Sequence, residues 1–269
     1  MPTDAADAVN AVALFLFAHQ DDEYGVYHEL ERCRQRGVRV RCAYLTDGAA
    51  SGVSAATRNA ESVAVLAQLG VARDDIFFAG ESLGIPDAGL PLHLERAGDW
   101  LRHWFASQGE IDAIYVMAWE GGHHDHDALH AIAVHIASQR GQLGKMRQYA
   151  LYNGARIMPP FFRTLSPLAE NGPVQARRLP WATRWRCLRW CLSYPSQYKT
   201  WLGLFPFALW AYLVVGKQCL QAVSLARTFE RPHAGTLYYE HRRFYTWPQM
   251  QEQLTAWRKK ADARQLNDS

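Results

Sequence analysis

The sequence predicts an α/β fold: a Rossmann-like, largely parallel sheet flanked by helices, followed by a mostly helical and irregular C-terminal elaboration. Short apolar runs alternate with helix-length segments through the first 155 of 269 residues, which is typical of parallel strands joined by right-handed crossovers. Clusters of acidic and imidazole side chains follow two of these runs, and sites in such sheets gather at the carboxyl ends of strands. We therefore expect residues 1–155 to form the catalytic core and residues 156–269 to pack on it and shape the substrate site.

Each element of this fold has a local signal. The predicted strands are short apolar runs, partly β-branched or aromatic, at residues 11–18, 38–45, 76–79, 111–119 and 148–152. The predicted helices carry inward-facing apolar positions and occupy residues 24–36, 57–69, 92–105 and 128–138. Residues 156–180 are rich in Pro, Arg and aromatic residues, and we expect an irregular loop there. No G-x-G-x-x-G or Walker-type loop follows a strand, so the sequence does not favour a dinucleotide or a nucleoside triphosphate.

Composition narrows the class of protein. With 49% hydrophobic and 20% charged residues the chain has enough apolar residues for a sizeable core, and a net charge of +3 does not favour nucleic acid as a partner. The five cysteines contain no C-x-x-C pair, so we expect reduced thiols in a cytoplasmic protein and no cysteine-based zinc site. The N-terminus is acidic rather than basic, which does not indicate a signal peptide.

Two clusters carry the residues suited to metal chemistry. The first reads A-H-Q-D-D-E at residues 18–23, and the second reads H-H-D-H at residues 123–126. Zinc hydrolases need three nitrogen or oxygen ligands with one position left open for water, together with a base and a donor for the developing oxyanion. One His and one Asp from the first cluster with one His from the second would provide the ligands. A single cluster would more often be a capped helix start, but two clusters at strand ends favour a metal.

These motifs resemble those of the PIG-L/LmbE family of metal-dependent N-acetylglucosaminyl deacetylases, from residue 11 to about residue 155. The family form A-H-P-D-D-E appears here with Gln20 in place of proline, and the family form H-P-D-H appears with His124 in place of proline. We expect His124 to be a solvent-exposed substitution, with an additional polar contact as the alternative. His130 lies four residues after His126 and could form a helical His pair, but a packed or surface histidine is the favoured interpretation.

The resemblance implies a role for each matching residue of the metal centre. His19, Asp22 and His126 would bind Zn²⁺, with another divalent ion such as Fe²⁺ as the alternative. Asp21 would be the general base that accepts a proton from the attacking water. Glu23 is expected to support the loop rather than to react.

The resemblance also implies residues that act on the substrate. His123 would stabilise the oxyanion and Asp125 would orient it, while Arg58 and Asp87 would hold sugar hydroxyls. Some family members have a tyrosine two residues before the second motif as a candidate general acid, but Gly121 stands there in this chain. His123, or Asp21 returning its proton, would then protonate the leaving amine.

The predicted function is removal of an acetyl group from an N-acetylated amino sugar of the GlcNAc type or its conjugate. One alternative is an amidase acting on a larger amino-sugar conjugate or on a lipid-linked sugar. The other is a membrane-surface protein with a vestigial metal site. The predicted partner is a small N-acetyl amino sugar or glycoconjugate, and a homo-oligomer stays open.

An apolar stretch near the C-terminus allows three interpretations. No charged residue occurs between Lys199 and Lys217, yet the stretch is shorter than a typical spanning helix and contains Pro206. It could be a buried helix, an interfacial membrane element preceded by several arginines, or a lid over the substrate. Residues 184–216 are therefore a candidate membrane contact, which would make the protein peripheral to the inner face of a membrane.

Overall fold

In the computed structural model, which describes residues 11–49, 52–158 and 161–268, one mixed sheet of seven strands forms the centre of the protein. Its strands are β1 (Val12–Phe17), β2 (Arg39–Tyr44), β3 (Ile76–Phe78), β4 (Ile111–Met117), β5 (Met146–Tyr149), β8 (Val174–Arg178) and β9 (Lys217–Ala222). The strand order is β3-β2-β1-β4-β5-β9-β8. A separate antiparallel pair consists of β6 (Tyr152–Asn153) and β7 (Arg163–Thr164). The extreme N-terminus, for which no signal peptide is expected, lies outside the described residues.

Helices cover the sheet and form most of the C-terminal part. They are α1 (Tyr27–Gln35), α2 (Ala55–Gln68), α3 (Ala79–Leu83), α4 (Leu94–Ala106), α5 (His124–Gln139), α6 (Trp181–Cys191), α7 (Tyr198–Trp210), α8 (Tyr238–His241) and α9 (Trp247–Asp268). A π-helical turn, Ala211–Val215, continues α7. The predicted α/β class with a parallel sheet is confirmed.

The sheet is parallel where the two clusters lie and antiparallel where the C-terminal part joins it. β1 pairs in parallel with β2 and with β4, and β4 pairs in parallel with β5. β9 and β8 then extend the sheet as antiparallel strands. The expectation of an irregular loop over residues 156–180 is therefore wrong at β7 and at β8. The five residues of β8 are all exposed and show no apolar alternation.

The sheet topology brings the two clusters together. Every residue of β1 is buried, as expected of a central strand covered on both faces. Because β1 and β4 are parallel neighbours, the residues that follow Phe17 and Met117 lie at the same edge of the sheet. The segment after β4 also packs closely against the segment after β5, since a Cβ on Gly122 would lie 2.1 Å from the Tyr152 carbonyl oxygen.

The second cluster lies at the start of a helix rather than in a loop before one. α5 begins at His124, four residues earlier than predicted, and His123 is its N-cap. Nearly the whole of α5 is buried, which fixes the position of its first turn against the sheet.

The apolar C-terminal stretch forms one helical segment. Among the described residues, Pro195–Val215 is long and apolar enough to cross a membrane by length and composition, and 28% of its most apolar 18 residues is buried in the protein. Its structure thus combines a buried stripe with a large exposed surface.

Candidate active site

A cavity of about 520 Å³ lies at the carboxyl ends of β1 and β4. Seven of the eight residues predicted for the site line it, namely His19, Asp21, Asp22, Arg58, Asp87, His123 and His126. The eighth, Asp125, is completely buried and contacts His19. The structure therefore brings together side chains that are more than 100 residues apart in the sequence.

Asp22 is fixed by the chain turn that follows β1. Its Oδ2 atom accepts hydrogen bonds from the backbone amides of Ala18, at 3.0 Å, and His19, at 2.7 Å. Its Oδ1 atom lies 3.1 Å from Nε2 of His126. Burial raises the pKa of Asp22, but His126 and His19 outweigh burial and hold that pKa well below its usual range. One carboxylate oxygen is thus used for local structure, and the other faces the second cluster.

His19 connects the two sides of the site. Its Nδ1 atom lies 3.2 Å from Nε2 of His126, and its Nε2 atom lies 2.9 Å from Asp125 and 3.4 Å from Asp87. Asp125 is held in turn by the backbone amide of Leu90, at 3.0 Å. This network assigns the His19 proton to Nε2 and leaves the Nδ1 lone pair facing His126. Burial lowers the pKa of His19, but Asp87 and Asp125 raise it further than burial lowers it.

Three ligand-type atoms converge in the cavity. His19 Nδ1, Asp22 and His126 Nε2 lie 3.1–3.6 Å from one another. Two imidazole nitrogens and a carboxylate oxygen at such distances repel or share a proton unless a cation lies between them. His123 adds a nitrogen within 4.8 Å of the other two imidazoles. The donor set therefore fits a divalent ion such as zinc, which prefers nitrogen and oxygen ligands.

His123 is held as a neutral hydrogen-bond donor. The backbone amide of Asp125 donates to its Nδ1 atom at 3.2 Å, which places the ring proton on Nε2. Burial and the nearby imidazoles of His19, His124 and His126 lower the pKa of His123 well below its usual value. The carboxylate of Asp125 was predicted to orient His123 but lies 3.9 Å from it, beyond hydrogen-bond distance. The backbone amide of Asp125 orients His123 instead, because the carboxylate contacts His19.

Asp21 occupies a constrained position beside the converging ligands. Its backbone has a φ of 109°, a conformation that costs a non-glycine residue roughly 1–3 kcal/mol. Its amide donates to Glu23 at 2.9 Å, and Glu23, which accepts from the Tyr44 hydroxyl, is fully buried. Burial raises the pKa of Asp21 to about 8, although Arg58 lowers it. Glu23 thus supports the turn that presents Asp21, as expected.

The Arg58 guanidinium is engaged by protein groups on the side of the cavity where Asp21 and Asp87 lie. Its Nη1 atom donates to the Gly48 carbonyl at 2.7 Å and to Asp87 at 3.1 Å, and its Nη2 atom donates to the Gln20 carbonyl and to Asp21 at 3.2 Å. All four Nη protons are used, and Nε is buried with no hydrogen-bond partner in the part of the chain that the structure describes. The guanidinium therefore positions two carboxylates, and no exposed proton is left for a sugar hydroxyl.

Asp87 keeps an exposed edge toward the cavity. Its side chain is 19% exposed, and its pKa falls to about 2 because His19 and Arg58 outweigh the effect of burial. It stays charged and can accept hydrogen bonds, and its predicted contact with sugar hydroxyls stays a prediction.

Comparison with known families assigns the site to a class. The PIG-L family model, described as GlcNAc-PI de-N-acetylase, matches residues 14–137, which contain both clusters. This part of the chain is a PIG-L domain. The predicted family is confirmed, and so is the enzyme class, because PIG-L proteins are deacetylases, hydrolases that act on amides.

Solved structures of three deacetylases are similar in fold to this chain. A triple mutant of the deacetylase of the teicoplanin biosynthetic pathway is 20% identical over 72% of this chain and 85% of that chain, with a TM-score of 0.55. The A40926 pseudoaglycone deacetylase Dbv21 is 16% identical over 84% and 100%, with a TM-score of 0.55. The N,N'-diacetylchitobiose deacetylase from Pyrococcus horikoshii is 16% identical over 79% and 82%, with a TM-score of 0.52. A comparison with curated proteins gave no match.

The two residues that replace the prolines of the family motifs have hydrogen-bond or stacking partners. Gln20 is buried and donates to Asn59 at 2.6 Å. His124 was expected to be exposed, but this is wrong: it is 1% exposed, contacts the Ala88 carbonyl at 2.9 Å and stacks on Tyr245. His130 is a packed histidine, as expected, with Nδ1 2.7 Å from the Met117 carbonyl.

The opposite walls of the cavity come from residues that sequence reasoning did not assign. Five of these residues are aromatic: Tyr24, Tyr152, Phe162, Tyr238 and Phe244. α7 adds Lys199, Thr200, Gly203 and Leu204, and Gln197, which directly precedes α7, and Arg242 lie at the same cavity. Tyr24 could have been identified from the sequence, because it directly follows the first motif. Its buried hydroxyl has no partner among the described residues. The others had no signal beyond an aromatic-rich C-terminal part.

Proposed function

We propose that the protein is a zinc-dependent hydrolase that removes the acetyl group from an N-acetylated amino sugar of the GlcNAc type or its conjugate. The convergence of His19, Asp22 and His126 beside Asp21 and His123 in one cavity carries this proposal. The family description supports the amino-sugar part, because it refers to GlcNAc.

His19, Asp22 and His126 would hold the ion, and His19 would be oriented by Asp125. When bound, the ion supplies a Lewis acid that lowers the pKa of water to about 7 and polarises a carbonyl. Zinc suits this set of ligands, and Fe²⁺ is the alternative. A buried carboxylate behind a ligating histidine raises the basicity of the ligand and fixes its ring.

Asp21 would transfer the proton, and His123 would stabilise the developing oxyanion. Asp21 accepts a proton from the water that attacks the acetyl carbonyl, and His123 donates its Nε2 proton in a hydrogen bond to the carbonyl oxygen as negative charge develops there. When the carbon–nitrogen bond breaks, Asp21 returns its proton to the leaving amine. The products are acetate and the free amino sugar. This assignment needs no imidazolium at His123, in agreement with its lowered pKa.

The cavity suits a sugar ring. Its volume of about 520 Å³ lies within the range of roughly 300–1,000 Å³ found for small-molecule sites. Asp87 would accept hydrogen bonds from hydroxyl groups, while Tyr152 and Phe162 line the cavity and would offer aromatic rings for a sugar to stack on.

The test is acetate release by purified protein. Metal content is measured first, and activity is then compared in the protein as purified, after chelation and after addition of zinc or Fe²⁺. Substrates include GlcNAc, GlcNAc glycosides and diacetylchitobiose, with bulkier N-acyl analogues as a second series. Activity that disappears on chelation and returns with metal is expected. Undiminished deacetylation by metal-free protein would contradict the mechanism, and a preference for the bulkier analogues would favour an amidase.

A further inference from the structure

Charge is distributed unevenly along the chain. Residues 171–229 contain eight Lys and Arg residues and no Asp or Glu. The whole chain has 29 basic and 26 acidic residues, so the rest of the protein has 21 basic against 26 acidic residues and is net negative. Five of the ten tryptophans also fall within residues 171–229. Such asymmetry indicates a surface that meets an anionic partner.

Helices α6 and α7 form an apolar hairpin within this basic segment. Both helices expose large apolar side chains: Trp181, Trp185 and Leu192 from α6 and its end, and Leu202, Trp210, Val214 and Val215 from α7 and its π-helical turn. Leu202 is 79% exposed and Trp210 is 63% exposed. Monomeric soluble proteins seldom show so many large apolar side chains on two neighbouring helices.

Contacts at the base of the hairpin bring its two ends together. The Leu179 amide donates to the Gly216 carbonyl at 2.9 Å. Arg184, which is buried, donates to the Leu213 carbonyl at 2.9 Å and lies 4.3 Å from the Trp181 ring centre. The start of α6 and the end of the π-helical turn are therefore neighbours, and their exposed apolar side chains lie at one end of the hairpin.

Unpaired cations surround the same hairpin. Arg177 and Arg178 end β8, and Arg178 lies opposite Lys217 in the ladder with β9. The exposed side chains of Arg177, Arg178, Arg189 and Lys217 have no hydrogen bond or ion pair with any described residue. Lys199 has no ion pair with a described residue either, and its Nζ atom lies 5.8 Å from the Tyr198 ring centre. By contrast, Arg186 outside this group is paired with Glu31.

The buried stripe of α7 decides between lying on a membrane and crossing it. Trp201, Leu204, Ala208 and Tyr212 are buried against the core. The Trp201 ring packs edge-on against Tyr24 at 5.4 Å, and the Tyr212 hydroxyl donates to the Tyr24 carbonyl. A spanning helix would lose all of these contacts, whereas a helix lying in the interface keeps them and inserts only its exposed face.

We propose that the α6–α7 hairpin docks the protein on the surface of an anionic lipid bilayer. The exposed Trp and Leu side chains would enter the boundary between headgroups and acyl chains, where tryptophan is favoured. The five unpaired cations would lie at the level of the anionic headgroups, each strengthening binding roughly fivefold at low salt. Because Lys199, Thr200, Gly203 and Leu204 of α7 also line the cavity, docking would hold the cavity beside the bilayer. This proposal does not depend on the deacetylase activity.

The experiment is cosedimentation of the full chain with vesicles of phosphatidylcholine alone and of an equimolar mixture with phosphatidylglycerol. Binding to the anionic vesicles is expected, with much weaker binding to the neutral ones and a marked loss at high salt. The double variant Leu202→Glu/Trp210→Glu should lose at least roughly tenfold in vesicle affinity, because both side chains would enter the apolar boundary. The matched control is Leu92→Glu, an exposed leucine outside the hairpin, which should bind like the wild type.

Variants of the unpaired arginines and the oligomeric state of the protein test the proposal further. Arg177→Glu/Arg178→Glu should weaken binding to anionic vesicles and leave the thermal melting of the protein unchanged, since both side chains are exposed and unpaired. Protein that stays in the supernatant with anionic vesicles at low salt would overturn the proposal. So would a wild-type dimer without lipid that Leu202→Glu/Trp210→Glu converts to a monomer, because a second copy of the chain would then cover the hairpin.

Discussion

The carboxylate of Asp125 contacts the ring of His19 from 106 residues away in the sequence, with Oδ2 and Nε2 2.9 Å apart. This contact fixes the proton of His19 on Nε2 and directs its other nitrogen toward His126 and Asp22. The two clusters are thus joined twice, at the converging ligands and again behind them. Asp125 therefore sets the ring orientation with which His19 would bind a metal ion.

Asp125→Asn tests this second contact. The amide retains the shape of the side chain but removes the charge, so His19 becomes a weaker and less firmly oriented ligand. We expect metal affinity to fall roughly 10- to 100-fold, measured by competition with a chromophoric chelator. The matched control is Asp127→Asn, a buried aspartate on the same helix that accepts from the Glu120 and Gly121 amides. The control should lower stability and leave metal affinity unchanged, and equal metal loss in both variants would argue for a purely structural effect.

Asp21 and His126 should separate chemistry from metal binding. Asp21→Asn removes the base but none of the proposed ligands, so the variant should keep its metal and lose roughly 100- to 10,000-fold in kcat. His126→Ala should lose both metal and activity. His130→Asn is a control one helical turn later, because His130 contacts the Met117 carbonyl and not the cavity. Metal content and acetate release are measured on all three, and loss of metal in Asp21→Asn would reassign Asp21 as a ligand.

The sequence predicted those parts of the site that lie next to a strand end. His19, Asp21 and Asp22 follow β1 immediately, so an apolar run and a short motif were enough to place them together. His126 could be added because β4 was also recognisable and parallel strands share an edge. The start of α5 was missed because its first turn is a run of His and Asp, which resembles a loop until His123 is recognised as the N-cap.

Contacts between distant segments could not be predicted in this way. The Nη protons of Arg58 are all used partly because the fold brings the carbonyls of Gln20 and Gly48 close to its guanidinium. The cavity walls from α7 depend on how the C-terminal part returns over the sheet. β8 was missed because it is an exposed edge strand without apolar alternation, so neither periodicity nor composition marks it.

Arg58→Lys tests whether Arg58 positions carboxylates or binds substrate. A lysine cannot reproduce the four Nη hydrogen bonds, so Asp21 and Asp87 should lose their fixed arrangement. We expect kcat to fall at least roughly tenfold, since misplacement of a base is costly, with a smaller change in KM. Arg58→Gln, which also removes the charge, provides a second readout. Because Arg58 lowers the pKa of Asp21, its loss should move the acidic limb of the pH–kcat profile to higher pH. A change confined to KM would instead indicate direct substrate binding.

His130 should make the stability of the fold dependent on pH. Burial lowers its pKa to about 4, although the hydrogen bond to the Met117 carbonyl opposes this, whereas an unfolded histidine titrates near 6.5. Between these values the unfolded chain binds the extra proton, so the contribution of neutral His130 is complete above pH 6.5 and is lost as the pH falls toward 4. At pH 5 the loss should be about 2 kcal/mol, from 1.36 kcal/mol per pKa unit.

His130→Asn isolates this contribution, because an asparagine amide can donate to the Met117 carbonyl but does not titrate. Urea unfolding of wild type and variant at pH 7 and pH 5 gives four free energies. The wild type should lose about 2 kcal/mol more than the variant over this interval, whatever their difference at pH 7. His103→Gln, at an exposed position on α4, should follow the wild type. Equal losses in wild type and His130→Asn would mean that His130 is not the buried neutral group that the structure indicates.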